Sequence, residues 1–186
     1  AAVGRISALA GPGGRILELG VGTGRLAVPL AELGHPVVGM DASVEMLERL
    51  GHNAAHLPPD SVRAVTGDLA APTAWPPGPF EVVVAAFNLA CNLVEPAAQA
   101  QMFVLSRGVL APGGHFVAAT PNAGCLSVLG HDFWVDPTHV RPYDPRLLAF
   151  LCSAAGLEVV ETGTNPRNHG GPPPAVLAPE VHVDPD

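Results

Sequence analysis

Three glycines at alternate positions follow a short apolar run in the segment RILELGVGTGR, residues 15–25. They are Gly20, Gly22 and Gly24, and Glu18 lies two positions before the first of them. Glycine after a strand lets the backbone turn sharply and lets a ligand approach the main chain closely. The spacing therefore predicts a binding site for a nucleotide-like cofactor at this turn.

The glycine spacing leaves two kinds of cofactor open. The dinucleotide fingerprint GxGxxG/A fails when it is read from Gly20, because Arg25 stands where the third glycine should be. It fits when it is read from Gly22, with Ala27 in the last position. An NAD(P)-dependent oxidoreductase therefore stays an alternative, and Asp41, which follows Gly20 by 21 positions, suits either cofactor.

Two aspartates come at the ends of later apolar runs. Asp41 ends the run in HPVVGMDAS, and Asp68 follows the run in VTGDLA. A carboxylate at the position of Asp41 can accept a pair of hydrogen bonds from ribose hydroxyls. Each aspartate could instead cap the structure that follows it, and Gly24 could serve only close packing of a helix on a strand. We predict a cofactor-binding function for all three.

The order of these features resembles that of the class I methyltransferases that use S-adenosylmethionine. The shared features are an acid followed by GxGxG, a strand-end acid, a Gly-Asp pair, an apolar strand and the Pro-Gly-Gly turn in LAPGGHFVAATPN, over residues 15–122. The resemblance implies S-adenosylmethionine as the cofactor, with Asp41 at the ribose, Asp68 near the adenine amino group, and Phe87 and Asn88 beside the methionine part and the acceptor. The implied cofactor-binding residues are Glu18, Gly20, Gly22, Gly24, Asp41, Asp68 and Phe87.

A second set of reactive side chains lies in HDFWVDPTHVRPYD, residues 131–144. His139 could act as the general base, because imidazole titrates near neutral pH. The segment could also bind a divalent metal, although its spacing matches no standard metal motif, or it could form a lid in which Trp134 and Tyr143 cover the site. Its DPTHVRPY core resembles bacterial methyltransferases found with glycan-assembly and natural-product enzymes. The candidate catalytic residues are His139, Asn88 and Tyr143. In the metal alternative the ligands would be His131, Asp132, Asp136 and His139. We predict that the site holds no metal.

Alternating strand and helix patterns must position these residues. Strands are predicted at Ile16–Leu19, Pro36–Met40, Val62–Thr66, Phe80–Ala86, His115–Thr120 and Leu157–Glu161. Helices are predicted at Arg25–Leu33, at Ser43–Leu50 between an N-cap serine and Gly51, at Pro96–Leu110, and from Asp144-Pro145 to Gly156. The alternation predicts an α/β fold: a Rossmann-like, doubly wound, mostly parallel sheet with helices on both faces. Ligands of such sheets bind beyond the carboxyl ends of the strands.

The predicted methyltransferase domain spans residues 1–164. The resemblance implies a helical lid before Ile16. We predict that this lid is absent or trimmed in the given sequence. Residues 165–186 form a Pro/Gly-rich tail of loop or disorder, in which Ala175–Val183 could be a last short strand.

Composition excludes several function classes. The chain of 186 residues carries nine arginines, no lysine and a net charge of −8. A Schiff-base lysine, a Walker lysine and a Tyr/Lys dehydrogenase pair are therefore excluded, and an acidic chain without a basic stripe is a poor nucleic-acid binder. No apolar run reaches the length of a membrane span, and the three cysteines form no CxxC pair.

These observations together predict a cytoplasmic, bacterial methyltransferase that acts on a small molecule. The first expectation for the acceptor is a hydroxyl of a sugar or natural product. The alternatives are an NAD(P)-dependent oxidoreductase and a non-catalytic cofactor-binding module. We expect that the protein binds neither nucleic acid nor a membrane. A homodimer is a possible oligomeric state.

Overall fold

The computed structural model describes residues 2–86, 89, 93, 95–121, 123, 133–135 and 142–164, with the backbone alone for residue 164 and for a further segment, 175–182. Within these residues there are seven strands, five α-helices and one short 3-10 helix at Pro72–Ala74. The strands are β1 Ile16–Leu19, β2 Val37–Asp41, β3 Val62–Thr66, β4 Phe80–Ala85, β5 Leu110–Pro121, β6 Glu158–Thr164 and β7 Ala175–His182. The helices are α1 Ala2–Ala10, α2 Ala27–Glu32, α3 Val44–Asn53, α4 Pro96–Val109 and α5 Pro145–Ala154.

The seven strands form one sheet in the order β3-β2-β1-β4-β5-β7-β6. The pairs β1–β2, β2–β3, β1–β4 and β4–β5 are parallel, and β7 is antiparallel to both of its neighbours. This confirms the prediction of a doubly wound, mostly parallel α/β sheet. The direction of winding reverses between β1 and β4, and a crevice opens at such a switch point beyond the carboxyl ends of the strands.

Helices cover both faces of the sheet, as predicted. Successive side chains of a strand point to opposite faces, and Ile16 and Leu17 accordingly belong to two different buried clusters. The cluster around Ile16 receives side chains from α1, α2 and α3, and the cluster around Leu17 receives them from α4 and α5. Glu18 alternates with Leu17 and Leu19 along β1, so it shares the face of Ile16.

Two predicted helix caps are confirmed by hydrogen bonds. The Ser43 side chain accepts a hydrogen bond from the backbone N–H of Met46 at 3.2 Å, and the Asp144 carboxylate accepts one from Arg146 N–H at 2.8 Å. The predicted end of α3 at Gly51 is wrong. A Cβ on Gly51 would meet no atom of the described chain within 4 Å, and the helix continues through it to Asn53, because an exposed glycine weakens a helix without ending it.

The predicted Pro-Gly-Gly turn lies inside β5 instead of before it. Phe80 pairs with Leu110 and Val82 pairs with His115, so four residues of β5 stand opposite Glu81 alone. The turn residues form a bulge, in which a Cβ on Gly114 would lie 2.9 Å from the Ala111 carbonyl oxygen, too close for a larger residue.

Helix α1 precedes β1 and packs Ile6 and Ala10 into the core. His35 fixes this helix, because its Nε2 lies 2.8 Å from Ser7 Oγ and its Nδ1 lies 3.0 Å from the Gly14 carbonyl oxygen. His35 comes just before β2, so this attachment lies at the amino-end edge of the sheet, opposite the crevice.

The strand expected near the end of the chain occurs as β7. It inserts between β5 and β6, so the sheet takes in part of the Pro/Gly-rich segment 165–186.

Candidate functional site

The glycine turn after β1 has a backbone that other residues rarely adopt. The φ angles of Gly20, Gly22 and Gly24 are +63°, +52° and +87°, all in the left-handed region that favours glycine. Among the residues that the structure describes, no atom lies within 4 Å of a Cβ placed on Gly22. This part of the main chain is therefore open to a ligand.

The other two glycines of the turn pack against side chains. A Cβ on Gly24 would lie 2.4 Å from Leu50 Cδ1 of α3, and a Cβ on Gly20 would lie 2.6 Å from Leu89 Cδ1. The packing function considered for Gly24 is thus present. Leu89 was missed from the sequence, where its only signal is its position shortly after the fourth strand.

The Asp41 carboxylate joins two turns of the site. Its Oδ2 accepts a hydrogen bond from Gly22 N–H at 2.8 Å, and its Oδ1 accepts one from Ser43 N–H at 2.9 Å. Asp41 ends β2 and is half-buried. Since each carboxylate oxygen has two lone-pair sites, each retains one for a ligand hydroxyl.

The turn after β3 is hydrogen-bonded to the backbone of Asp41. Gly67 N–H donates to the Asp41 carbonyl oxygen at 3.0 Å, and a Cβ on Gly67 would lie 2.6 Å from Met40 Cε. The Gly-Asp pair was identified from the sequence. That position 67 requires a glycine, because Met40 lies so close, was not predicted. The exposed Asp68 accepts a hydrogen bond from Ala70 N–H at 2.8 Å. This is the capping function that the sequence analysis gave as the alternative to cofactor binding.

Glu18 is buried in the apolar face of β1, with 1% of its surface exposed. Burial raises the pKa of its carboxyl to about 8, and the Asp41 charge adds to this, whereas the Ala27 backbone N–H and the Arg25 charge act in the opposite direction. No donor in the described part of the chain bonds to its Oε2 atom. A buried carboxyl with an unsatisfied oxygen is costly, and such groups often belong to binding sites.

Three of the predicted site residues, Phe87, Asn88 and His139, lie outside the described residues. Tyr143 is fully buried in the cluster around Leu17, and its carbonyl oxygen accepts a hydrogen bond from Ala123 N–H at 3.2 Å. Trp134 is 60% exposed, with its ring edge-on to Phe133 at 5.1 Å between centroids. Tyr143 is thus held in the core, and Trp134 presents an apolar surface.

The four residues of the metal alternative, His131, Asp132, Asp136 and His139, also lie outside the described residues. Among the residues that the structure places, no three His, Cys, Asp or Glu side chains are grouped for a metal ion. None of the helices in the described part of the chain combines the length and apolar character needed to cross a bilayer.

Comparison with known proteins gives a family match over the region just described. A family model described as a methyltransferase domain matches residues 16–114, more than half of the chain. The match begins at β1 and includes the glycine turn, Asp41 and Asp68.

Two curated relatives carry the description ubiquinone biosynthesis O-methyltransferase. The one from Caulobacter sp. (strain K31) is 35% identical over 136 residues, which cover 67% of this chain and 51% of the relative. The one from Brucella anthropi is 30% identical over 160 residues, which cover 79% of this chain and 61% of the relative. The chain thus spans between half and two thirds of the length of these relatives.

Solved methyltransferase structures share the fold over nearly the whole chain. The CcbJ methyltransferase from Streptomyces caelestis has a TM-score of 0.77 and 27% identity, covering 100% of this chain and 88% of its own. The glycopeptide N-methyltransferase MtfA in complex with S-adenosyl-L-methionine has a TM-score of 0.74 and 20% identity, covering 99% of this chain and 93% of its own. At this identity the second likeness concerns the fold alone.

Proposed function

We propose that this chain, which belongs to the class I S-adenosylmethionine-dependent methyltransferases, transfers a methyl group from that cofactor to a small-molecule acceptor. The observation that carries the proposal is the open backbone of Gly22 beside the Asp41 carboxylate, at the carboxyl ends of β1 and β2. This arrangement fits a nucleoside that lies against main chain and presents two hydroxyls.

The residues of the crevice fit this cofactor. Each Asp41 oxygen accepts one backbone N–H and keeps a second acceptor position, so the carboxylate can take both ribose hydroxyls. Gly20 and Gly24 hold the turn that exposes Gly22. When bound, S-adenosylmethionine supplies a reactive methyl group on a positively charged sulfur. The protein then has to orient the acceptor and remove its proton.

The acceptor that we propose first is a hydroxyl of a sugar or natural product. The support is the DPTHVRPY segment and the description of both curated relatives as O-methyltransferases. In this proposal His139 accepts the hydroxyl proton, and Phe87 and Asn88 flank the methionine part and the acceptor. Tyr143, buried in the core, anchors the segment that carries His139, and Asp68 contributes to the adenine end of the site.

Isothermal titration with S-adenosylhomocysteine, with NAD in a parallel cell, tests the cofactor. Micromolar binding of S-adenosylhomocysteine and none of NAD is expected. Binding of NAD alone would favour the oxidoreductase alternative. The acceptor is tested by mass spectrometry of reactions with S-adenosylmethionine and matched hydroxyl and amine compounds. Transfer only to amines would overturn the hydroxyl proposal, and tight binding without any transfer would favour a non-catalytic module.

The His139→Ala variant tests the proposed base. We expect methyl transfer about 10²–10⁴-fold slower and unchanged affinity for S-adenosylhomocysteine, because a general base acts on the acceptor. His52→Gln, which changes an exposed histidine on α3, is the matched control and should keep the parent rate. A His139→Ala rate within a few-fold of the parent would remove His139 from the chemistry.

A further inference from the structure

The last residue of α3 bonds to the glycine turn. Asn53 ends this helix, and its Nδ2 donates a hydrogen bond of 2.8 Å to the carbonyl oxygen of Thr23. Thr23 lies between Gly22, which no described atom crowds, and Gly24, which packs on Leu50. Asn53 and Thr23 are 30 positions apart in the sequence, so this bond forms only when α3 lies against the turn.

The bond from Asn53 fixes one of the two polar ends of the peptide unit between Thr23 and Gly24. The other end is the Gly24 N–H, which donates to the Val21 carbonyl oxygen at 3.0 Å. Glycine adopts positive and negative φ with similar ease, so the φ of +87° at Gly24 does not by itself hold this peptide in one orientation. With both polar atoms bonded, the peptide cannot rotate without breaking two hydrogen bonds.

The segment from the end of β2 to the end of α3 thus holds three consecutive residues of the turn. At its first end Asp41 accepts the N–H of Gly22. At its last end Asn53 bonds to the next residue, Thr23, and Leu50 packs against the residue after that. Leu50 is buried in the core and Asn53 is exposed, so Asn53 is the part of this attachment that can be changed without disturbing the core.

We propose that Asn53 is a positioning residue of the cofactor site. It acts through Thr23, and it keeps the turn in the orientation that leaves the main chain of Gly22 open to a ligand. A turn that is ordered before binding spares the ligand the loss of conformational freedom that ordering it would require. The effect on binding rests on the proposed cofactor, whereas the attachment of the turn to α3 is a property of the protein without its ligand.

Amide hydrogen exchange of the ligand-free protein, followed by NMR, tests the attachment. In Asn53→Ala the amides of Gly22 and Gly24 should exchange about 3–10-fold faster, since the loss of one hydrogen bond lets the turn open more often. Alanine is the best helix former, so the amide of Leu50 inside α3 should keep its parent rate. Asn53→Asp keeps the size of the side chain and removes the donor, and the turn should exchange at least as fast as in Asn53→Ala.

Ligand binding gives the second readout. Affinity for S-adenosylhomocysteine, measured by isothermal titration, should fall about 3–10-fold in Asn53→Ala, because the ligand then has to order the turn. In the methyl-transfer assay the KM for S-adenosylmethionine should rise by a similar factor, with kcat within about twofold of the parent. The urea midpoint should stay close to that of the parent, because Asn53 is exposed.

His52→Ala is the matched control at the neighbouring exposed position. The His52 ring bonds to the Glu48 carbonyl oxygen of the same helix, so this variant changes the end of α3 without touching the bond to Thr23. It should keep the parent exchange rates at Gly22 and Gly24 and the parent affinity for S-adenosylhomocysteine.

The outcomes separate this inference from the proposed cofactor. Parent exchange rates at Gly22 and Gly24 in a folded Asn53→Asp would show that Asn53 does not fix the turn, and would overturn the inference. Faster exchange with parent affinity would also overturn it, since the bond would then serve stability alone. Failure of the parent to bind S-adenosylhomocysteine would instead overturn the proposed cofactor, and the exchange rates would still decide whether Asn53 fixes the turn.

Discussion

The backbone N–H of Gly22 donates a hydrogen bond of 2.8 Å to the carboxylate of Asp41, across two neighbouring strands of the sheet. The bond fixes the most open glycine of the turn against the acid that ends β2. Because the bond joins two parts of the protein directly, it holds both turns in place, and this lowers the cost of ordering them when a ligand binds.

Asp41→Asn should weaken the binding of S-adenosylhomocysteine by about 1.5–3 kcal/mol, the range for hydrogen bonds to a charged group. An amide has a single oxygen, so its NH₂ group would face the N–H of Gly22 or of Ser43. Isothermal titration measures the loss. Glu48→Gln makes the same chemical change at an exposed position and should bind like the parent. Parent affinity in a folded Asp41→Asn would contradict the ribose function of Asp41.

Two glycines of the turn should respond differently to alanine. Gly24→Ala should lower the free energy of unfolding by about 2–5 kcal/mol, because the methyl group meets Leu50 and the left-handed backbone disfavours alanine. Gly22→Ala should cost about 1–2 kcal/mol, for the backbone alone. Urea unfolding measures both.

The effect on binding should be clearest at Gly22, where the methyl group would fill the open space beside Asp41. We expect affinity for S-adenosylhomocysteine to fall by roughly 5–150-fold in Gly22→Ala, which corresponds to 1–3 kcal/mol of overpacking. If this variant binds as tightly as the parent, the backbone of Gly22 does not contact the ligand.

The stability of the ligand-free protein should fall with rising pH because of Glu18. Burial raises its pKa to about 8 from an ordinary value near 4.5, so the folded state holds a proton that the unfolded state releases. The stabilising contribution is complete below about pH 4.5 and is lost as the pH rises to about 8, by roughly 1.4 kcal/mol per unit. Urea unfolding of the parent and of Glu18→Gln across this window isolates the effect. Parallel pH profiles of the two proteins would show that the Glu18 pKa is not raised.

The thiol of Cys152 should resist alkylation in the folded protein. Burial raises its pKa to about 12, and the thiolate is the reactive form. Iodoacetamide should modify Cys152 at least roughly 100-fold more slowly in buffer than in urea. Cleavage after arginine places Cys152 on peptide 147–167, separate from the other two cysteines, so mass spectrometry reads it alone. Comparable rates in both solvents would mean that the helix carrying Cys152 opens readily.

Local signals made much of this fold predictable. β1 and β3 have the predicted bounds, because each is a short run with clear turn residues on either side. The caps at Ser43 and Asp144 follow from side chains that bond within three residues. The link between Asp41 and the glycine turn could be expected because strand ends of a parallel sheet meet at one edge.

Other features depend on contacts between distant residues. The bulge in β5 exists because Leu110 pairs with Phe80, and a turn pattern does not show that a strand continues beyond it. The contact of Leu89 with Gly20 and the unsatisfied oxygen of Glu18 arise only when the crevice is assembled. Sequence spacing identifies Glu18 as part of a motif, but it does not show that the carboxyl is buried with one oxygen that accepts no hydrogen bond from the described residues.

The position of β7 has a consequence for how the protein is made. This strand comes after the other six in the chain, yet it lies between β5 and β6 in the sheet. During synthesis β6 therefore emerges before the strand that joins it to the rest of the sheet, and β5 keeps an unpaired edge until then. The cofactor crevice, built from β1 to β5, can assemble while the far side of the sheet is unfinished. The sheet is therefore closed on this side only when residues 175–182 pair with β5 and β6, and a chain that stalls before them would leave the β5 edge open to aggregation.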